Sequence, residues 1–141
     1  MKVNIRTAIP GPRSLELTKR REKNVAKGHG SVCGVFIDKA VGCNLIDVDG
    51  NIFIDYAGGI GTMNVGHSHP KVIDAIERQL NQFIHPCFTV APYAPYVELA
   101  QKLADSVPLK DNCKSVFFNS GAEAVENAIK VSKTYTGRTD I

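Results

Sequence analysis

The stretch Lys114–Gly137 reads KSVFFNSGAEAVENAIKVSKTYTG: a short apolar run, a Ser-Gly turn and a segment of helical period. Val116, Phe117 and Phe118 are β-branched or aromatic on successive residues, the pattern of a strand buried on both faces. Ser120 predicts a helix start, because its hydroxyl can accept the N–H of Glu123 while the Glu123 carboxylate reaches back to the Ser120 N–H. Val125, Ala128, Ile129, Ser132 and Tyr135 then fall on one narrow helical face. Gly137 stands where a left-handed cap ends such a helix.

A strand, a turn of small residues and a helix start together leave N–H groups unpaired at the positive end of a helix dipole. A phosphate fits there, and Gly121 and Ala122 leave its approach clear. The same residues also make an ordinary strand-to-helix junction with a good cap, and the motif by itself favours that plainer account.

The remaining sequence is that of a globular protein. In 141 residues, 43% are hydrophobic and 22% charged, enough for one core. No apolar run approaches a membrane span, and the first residues lack the charged-then-apolar order of a signal peptide. The net charge of +3 is uneven. Between positions 13 and 27 stand Arg13, Lys19, Arg20, Arg21, Lys23 and Lys27 against Glu16 and Glu22. Without interleaved aromatics, this run reads as a solvated helix face in preference to a nucleic-acid arm.

Cys33, Cys43, Cys87 and Cys113 form no C-x-x-C pair, and their irregular spacing suits free thiols in a reducing cytoplasm. His67/His69 and His85/Cys87 are i,i+2 pairs that two strands could bring together on zinc. Pro70 follows the first pair directly and Pro86 splits the second, so neither sits in a regular strand, and no metal site is expected.

In chain order, residues 1–12 read as an extended arm ending in Pro10-Gly11-Pro12. Ser14 is the expected N-cap of a polar helix to about Ala26. Strands are predicted at Val35–Ile37, Asn44–Val48 and Ile52–Tyr56, with Asp49-Gly50 as a hairpin turn between the last two. Gly58, Gly59, Gly61 and Gly66 then crowd one segment, which predicts unusual backbone angles or close approach to a ligand or a neighbouring subunit. Gly59-x-Gly61 only partly matches a dinucleotide fingerprint, because Asn64 replaces the third glycine. Pro70 opens a helix expected to turn Val72, Ile73, Ile76 and Leu80 inward. A proline-punctuated link, His85 to Pro95, leads to another helix whose apolar positions are Val97, Leu99, Ala100, Leu103 and Ala104.

Three segments, FIDYAGGIGTMNVGHSHPKVIDAI, HPCFTVAPYAPYVELAQKL and FFNSGAEAVENAIKVSKTYTGR, in this order resemble the N-terminal part of class III pyridoxal-phosphate-dependent aminotransferases. Within that family they are most similar to the 4-aminobutyrate aminotransferases. The likeness runs from about Pro10 onward, and Ser120–Ala128 is its most specific part.

The resemblance implies an α/β protein of fold type I. Residues 1–56 would supply the helix and antiparallel hairpin portion of the small domain, and residues 57–141 the start of a mainly parallel cofactor-binding domain. It places the phosphate of pyridoxal 5'-phosphate at Ser120, Gly121 and Ala122, and the amino-acid substrate against Ile60 in a loop near a dimer interface. Homodimers or higher homo-oligomers are implied. So is transfer of an amino group from 4-aminobutyrate, or another ω-amino donor, to the 2-oxo acid 2-oxoglutarate. No residue matches the family's covalent lysine, so no catalytic residue is assigned and the 141 residues are expected to be an inactive N-terminal fragment. A non-catalytic anion-binding or subunit-binding module is the alternative.

Overall fold

The computed structural model describes residues 2–108 and 113–140. The chain divides into two compact units, the first ending at Ile84 and the second beginning at His85.

In the first unit, helix α1 (Pro12–Asn24) packs beside a three-stranded antiparallel sheet of β1 (Ile37–Val41), β2 (Asn44–Asp47) and β3 (Ile52–Ile54), in that order. Val41 pairs with Asn44 and Ile37 with Asp47 across β1–β2, while Asn44 pairs with Ile54 and Ile46 with Ile52 across β2–β3. The Asp49-Gly50 hairpin forms as expected, through a three-residue loop. Gly50 N–H donates to Asp47 O at 3.0 Å, Asp47 N–H donates to Asn51 O at 3.0 Å, and Gly50 takes φ +84°. Glycine supplies that left-handed angle without a Cβ penalty.

Two expectations shift by a few residues here. The predicted strand at Val35–Ile37 begins only at Ile37, because Val41-Gly42-Cys43-Asn44 makes a tight turn that sets the ladder further along. Nor is Ser14 the N-cap. Gly11 occupies that position and Pro12, with its preset φ, opens the helix at N1. The cap comes from the hairpin instead. Asp49 Oδ1 accepts the Arg13 N–H at 2.8 Å and Oδ2 the Ser14 N–H at 3.0 Å. A carboxylate at the positive end of α1 fits the helix dipole. Burial pushes the Asp49 carboxyl up, but hydrogen bonds from the Ser14 hydroxyl and from the Arg13 and Ser14 N–H groups outweigh it, leaving it below its ordinary value.

The buried centre of this unit is polar. Among the described residues no hydrophobic side chain is buried, whereas Ser14, Asn44, Asp47 and Asn51 are. Asn51 Oδ1 accepts the N–H groups of Arg6 at 2.7 Å and Thr7 at 3.0 Å. Its amide donates to Thr7 Oγ1 at 2.9 Å and Asp47 Oδ2 at 2.8 Å. With Asn4 also pairing with Ile52, the N-terminal arm is laced to the hairpin by a hydrogen-bond network, while the buried Asn44 Oδ1 has no partner among the described residues.

Helix α2 (Pro70–Leu80) closes the first unit, with proline at N1. Its expected inward side chains, Val72, Ile73, Ile76 and Leu80, are exposed, since among the described residues no element packs over them. The second unit holds α3 (Ala94–Ser106) and α4 (Gly121–Thr136).

The expected strand at Val116–Phe118 does not form: residues 113–118 join no sheet, and Val116 is 65% exposed. A parallel strand needs hydrogen-bonding neighbours, and among the described residues none lies alongside. The Phe117 N–H is satisfied instead by the Tyr96 hydroxyl oxygen at 3.1 Å. Phe88 stacks on Tyr96 with ring centres 4.0 Å apart, and Phe117 meets Tyr96 edge-on at 4.7 Å.

Candidate functional site

Helix α4 begins with the capping box that its sequence predicts. Ser120 Oγ accepts the Glu123 N–H at 3.2 Å, and Glu123 Oε2 accepts the N–H groups of Ser120 at 3.1 Å and Asn119 at 2.9 Å. The Ala124 N–H already donates to Ser120 O at 3.1 Å. That leaves the N–H groups of Gly121 and Ala122 without a partner among the described residues, together with the proton of the Ser120 hydroxyl.

Three donors thus converge at one turn of a helix sixteen residues long, closed at its other end by Gly137 at φ +69°. A Cβ built on Gly121 meets nothing within 4 Å, so the approach to these donors is open. Beside the turn, a hollow of about 590 Å³ is lined by His85, Phe88, Tyr96, Phe117 and Asn119, among others. The aromatic cluster that fixes Phe117 therefore also fixes the chain three residues before Ser120. An anion presented to this turn would meet N–H and O–H donors and the positive end of the dipole.

Ile60 lies in the other unit, on a backbone unlike its surroundings. Gly58, Gly59, Ile60 and Gly61 take φ of +50°, +61°, +60° and +78°, a single left-handed helical turn. It is closed by Gly61 N–H to Ala57 O at 3.0 Å and Thr62 N–H to Gly58 O at 2.9 Å. The glycines adopt this freely, but for β-branched Ile60 the left-handed region costs about 1–2 kcal/mol. Its side chain is 95% exposed and gains nothing from burial in return.

Sequence reasoning passed over Asp55 and weighed His67 only as a zinc ligand, yet these two residues hold this turn. Asp55 Oδ1 accepts the Ala57 N–H at 3.0 Å and the Gly58 N–H at 2.8 Å, and the His67 imidazole Nε2 meets Oδ2 at 2.6 Å. The Asp55 side chain is 7% exposed. The His67 hydrogen bond, then that of Gly58, holds the Asp55 carboxyl below its ordinary value, against a smaller push upward from burial. Only their positions, just before and after the glycines, could have pointed to this pair. Among the described residues no cluster of His, Cys, Asp or Glu is placed to hold a metal ion. No described helix is long and apolar enough to cross a membrane.

The family model described as Aminotransferase class-III matches residues 24–141. The chain belongs to the class III aminotransferases. It is 47% identical to the 4-aminobutyrate aminotransferase of Mycobacterium tuberculosis over 132 residues, 94% of this chain and 29% of that protein. It is 44% identical to the 5-aminovalerate aminotransferase DavT of Pseudomonas aeruginosa over 125 residues, 89% of this chain and 29% of that one. Among solved structures, an omega-transaminase from Sphaerobacter thermophilus superposes with a TM-score of 0.77 at 28% identity, covering 94% of this chain and 30% of that chain. The chain thus spans just under a third of the length of these class III relatives, and its helices and small antiparallel sheet are part of their fold.

Proposed function

We propose that this chain supplies the phosphate cradle and part of the donor entrance of a pyridoxal-phosphate-dependent ω-amino-acid transaminase. The observation that carries the proposal is the start of α4, where a Ser-Gly-Ala turn leaves two N–H groups and one hydroxyl free at the positive end of a long helix. The fit is chemical. Phosphate is an anion with several acceptor oxygens, and Ser120, Gly121 and Ala122 offer donors only. Glu123 sits on the same turn, but its carboxylate is engaged by the Asn119 and Ser120 N–H groups. When bound, pyridoxal 5'-phosphate would supply the electron sink that transamination requires.

Ile60, apolar and solvent-facing in its left-handed turn, offers a wall for the carbon chain of an ω-amino donor. Of the donors its relatives are named for, 4-aminobutyrate is assigned to this chain, with 2-oxoglutarate as the acceptor. We further assign residues 1–56 to the small domain and 57–141 to the start of the cofactor-binding domain, in a homodimer acting in the cytoplasm.

The test is to incubate the full-length protein carrying this chain with pyridoxal phosphate, 2-oxoglutarate and either 4-aminobutyrate, 5-aminovalerate or ornithine, and to follow glutamate. The proposal expects glutamate to form fastest with 4-aminobutyrate. A higher kcat/KM for ornithine or 5-aminovalerate overturns the donor assignment. No glutamate from any of the three overturns the transaminase reading.

A further inference from the structure

The glycine-rich segment poses a physical question that the site alone does not answer: what holds an isoleucine in a left-handed turn facing solvent. Such a backbone persists only where its surroundings over-determine it. Both ends of the segment are tied to the sheet. The Asp55 N–H donates to Cys43 O at 2.8 Å, directly after β3. Twelve residues on, His67 and Gly42 exchange two backbone hydrogen bonds, at 2.8 and 2.9 Å.

Gly66 makes that second attachment possible. Its φ is +81°, and a Cβ there would stand 3.0 Å from Gly42 O. The side chains then join the two anchors. Asp55 Oδ2 meets His67 Nε2 at 2.6 Å, while Asp55 Oδ1 takes the two N–H groups that enter the turn, Ala57 and Gly58. One carboxylate thus fixes the entry of the turn and, through the imidazole, the point where the chain returns.

We propose that Asp55 and His67 are a positioning pair for donor selection: they hold residues 58–61 in the left-handed turn and so set the direction of the Ile60 side chain. The inference rests on the reading of Ile60 as a wall of the donor site. Neither residue of the pair touches the donor. Removing either one frees the turn to relax toward right-handed angles, where Ile60 is unstrained and points elsewhere.

The experiment uses the full-length, cofactor-loaded protein and the variants Asp55→Ala, His67→Leu, His67→Gln and Ile60→Gln. A glutamine amide can donate where Nε2 does, whereas leucine cannot. Two readouts are needed: amide hydrogen exchange at Gly61 and Thr62, whose bonds close the turn, and donor KM, kcat and cofactor Kd. Asp55→Ala and His67→Leu are expected to speed exchange at Gly61 and Thr62 about tenfold or more. Donor KM should rise by a similar factor, with kcat and cofactor Kd within about threefold. His67→Gln should return both readouts to within about threefold of the parent.

Loss of a merely structural contact would raise KM while also lowering kcat and cofactor affinity, and glutamine would not rescue it selectively. Exchange within about twofold of the parent in both Asp55→Ala and His67→Leu overturns the proposal. So does faster exchange with donor KM unmoved, provided Ile60→Gln shifts donor KM. If Ile60→Gln leaves donor KM unmoved, the donor reading of Ile60 has failed instead, and the exchange rates alone decide whether the pair holds the turn.

Discussion

Replacing Ile60 by glycine should stabilise the turn while impairing the choice of donor. The side chain is 95% exposed, so its removal forfeits almost no burial. At φ +60° and ψ +47° it carries the left-handed penalty of a β-branched residue, about 1–2 kcal/mol, which glycine does not pay. Against this, glycine gives the open chain more freedom, a cost of about 0.5–1 kcal/mol. The difference leaves about 0–1.5 kcal/mol in favour of the closed turn, centred on about 0.75, or roughly a threefold to fourfold rise in the protection of Gly61 and Thr62 amides. Native-state hydrogen exchange on the full-length protein measures it directly. Donor kcat/KM should fall in the same variant, because the apolar wall is gone. Protection that drops in Ile60→Gly would show that the left-handed backbone is not a strained state imposed on Ile60, and would refute the reasoning.

Gly66→Ala should cost at least about 1 kcal/mol in a thermal or denaturant melt, since it adds a left-handed penalty and a Cβ against Gly42 O. Ser120→Ala should cost about 1 kcal/mol through loss of the cap and increase exchange in the first turn of α4. Asp55 has a folded carboxyl below its ordinary 3.8, so its contribution is fully present above that value and is lost as pH falls through the lower, folded value. Exchange at Gly58, corrected for intrinsic rate, should therefore accelerate as pH falls below about 3.8; in Asp55→Asn that acid step should disappear.

The capping box at Ser120 and Glu123, the Gly137 stop and the Asp49-Gly50 hairpin were legible because each depends on residues within a few positions of one another. What the sequence concealed is long-range. Asp49 caps α1 from 36 residues away, taking the role expected of Ser14. Asn51 gathers the arm at Arg6 and Thr7 from more than 40 residues away, so the buried centre is polar where an apolar one was expected. Val116–Phe118 shows the opposite error: its local pattern is that of a strand, but pairing is decided by neighbours. At the candidate site, the glycine cluster announced unusual angles, yet nothing local distinguished Asp55 and His67 as the residues that impose them on Ile60.

The most direct test of the central claim is the affinity of the full-length protein for pyridoxal phosphate, by absorbance titration, before and after Gly121→Val. Because a Cβ at Gly121 meets nothing within 4 Å, the added side chain starts in open space on the side from which a ligand reaches the turn. With phosphate seated on Ser120, Gly121 and Ala122, affinity should fall at least about tenfold, the scale of one lost charge-assisted hydrogen bond. An unchanged Kd would place the phosphate elsewhere and contradict the account.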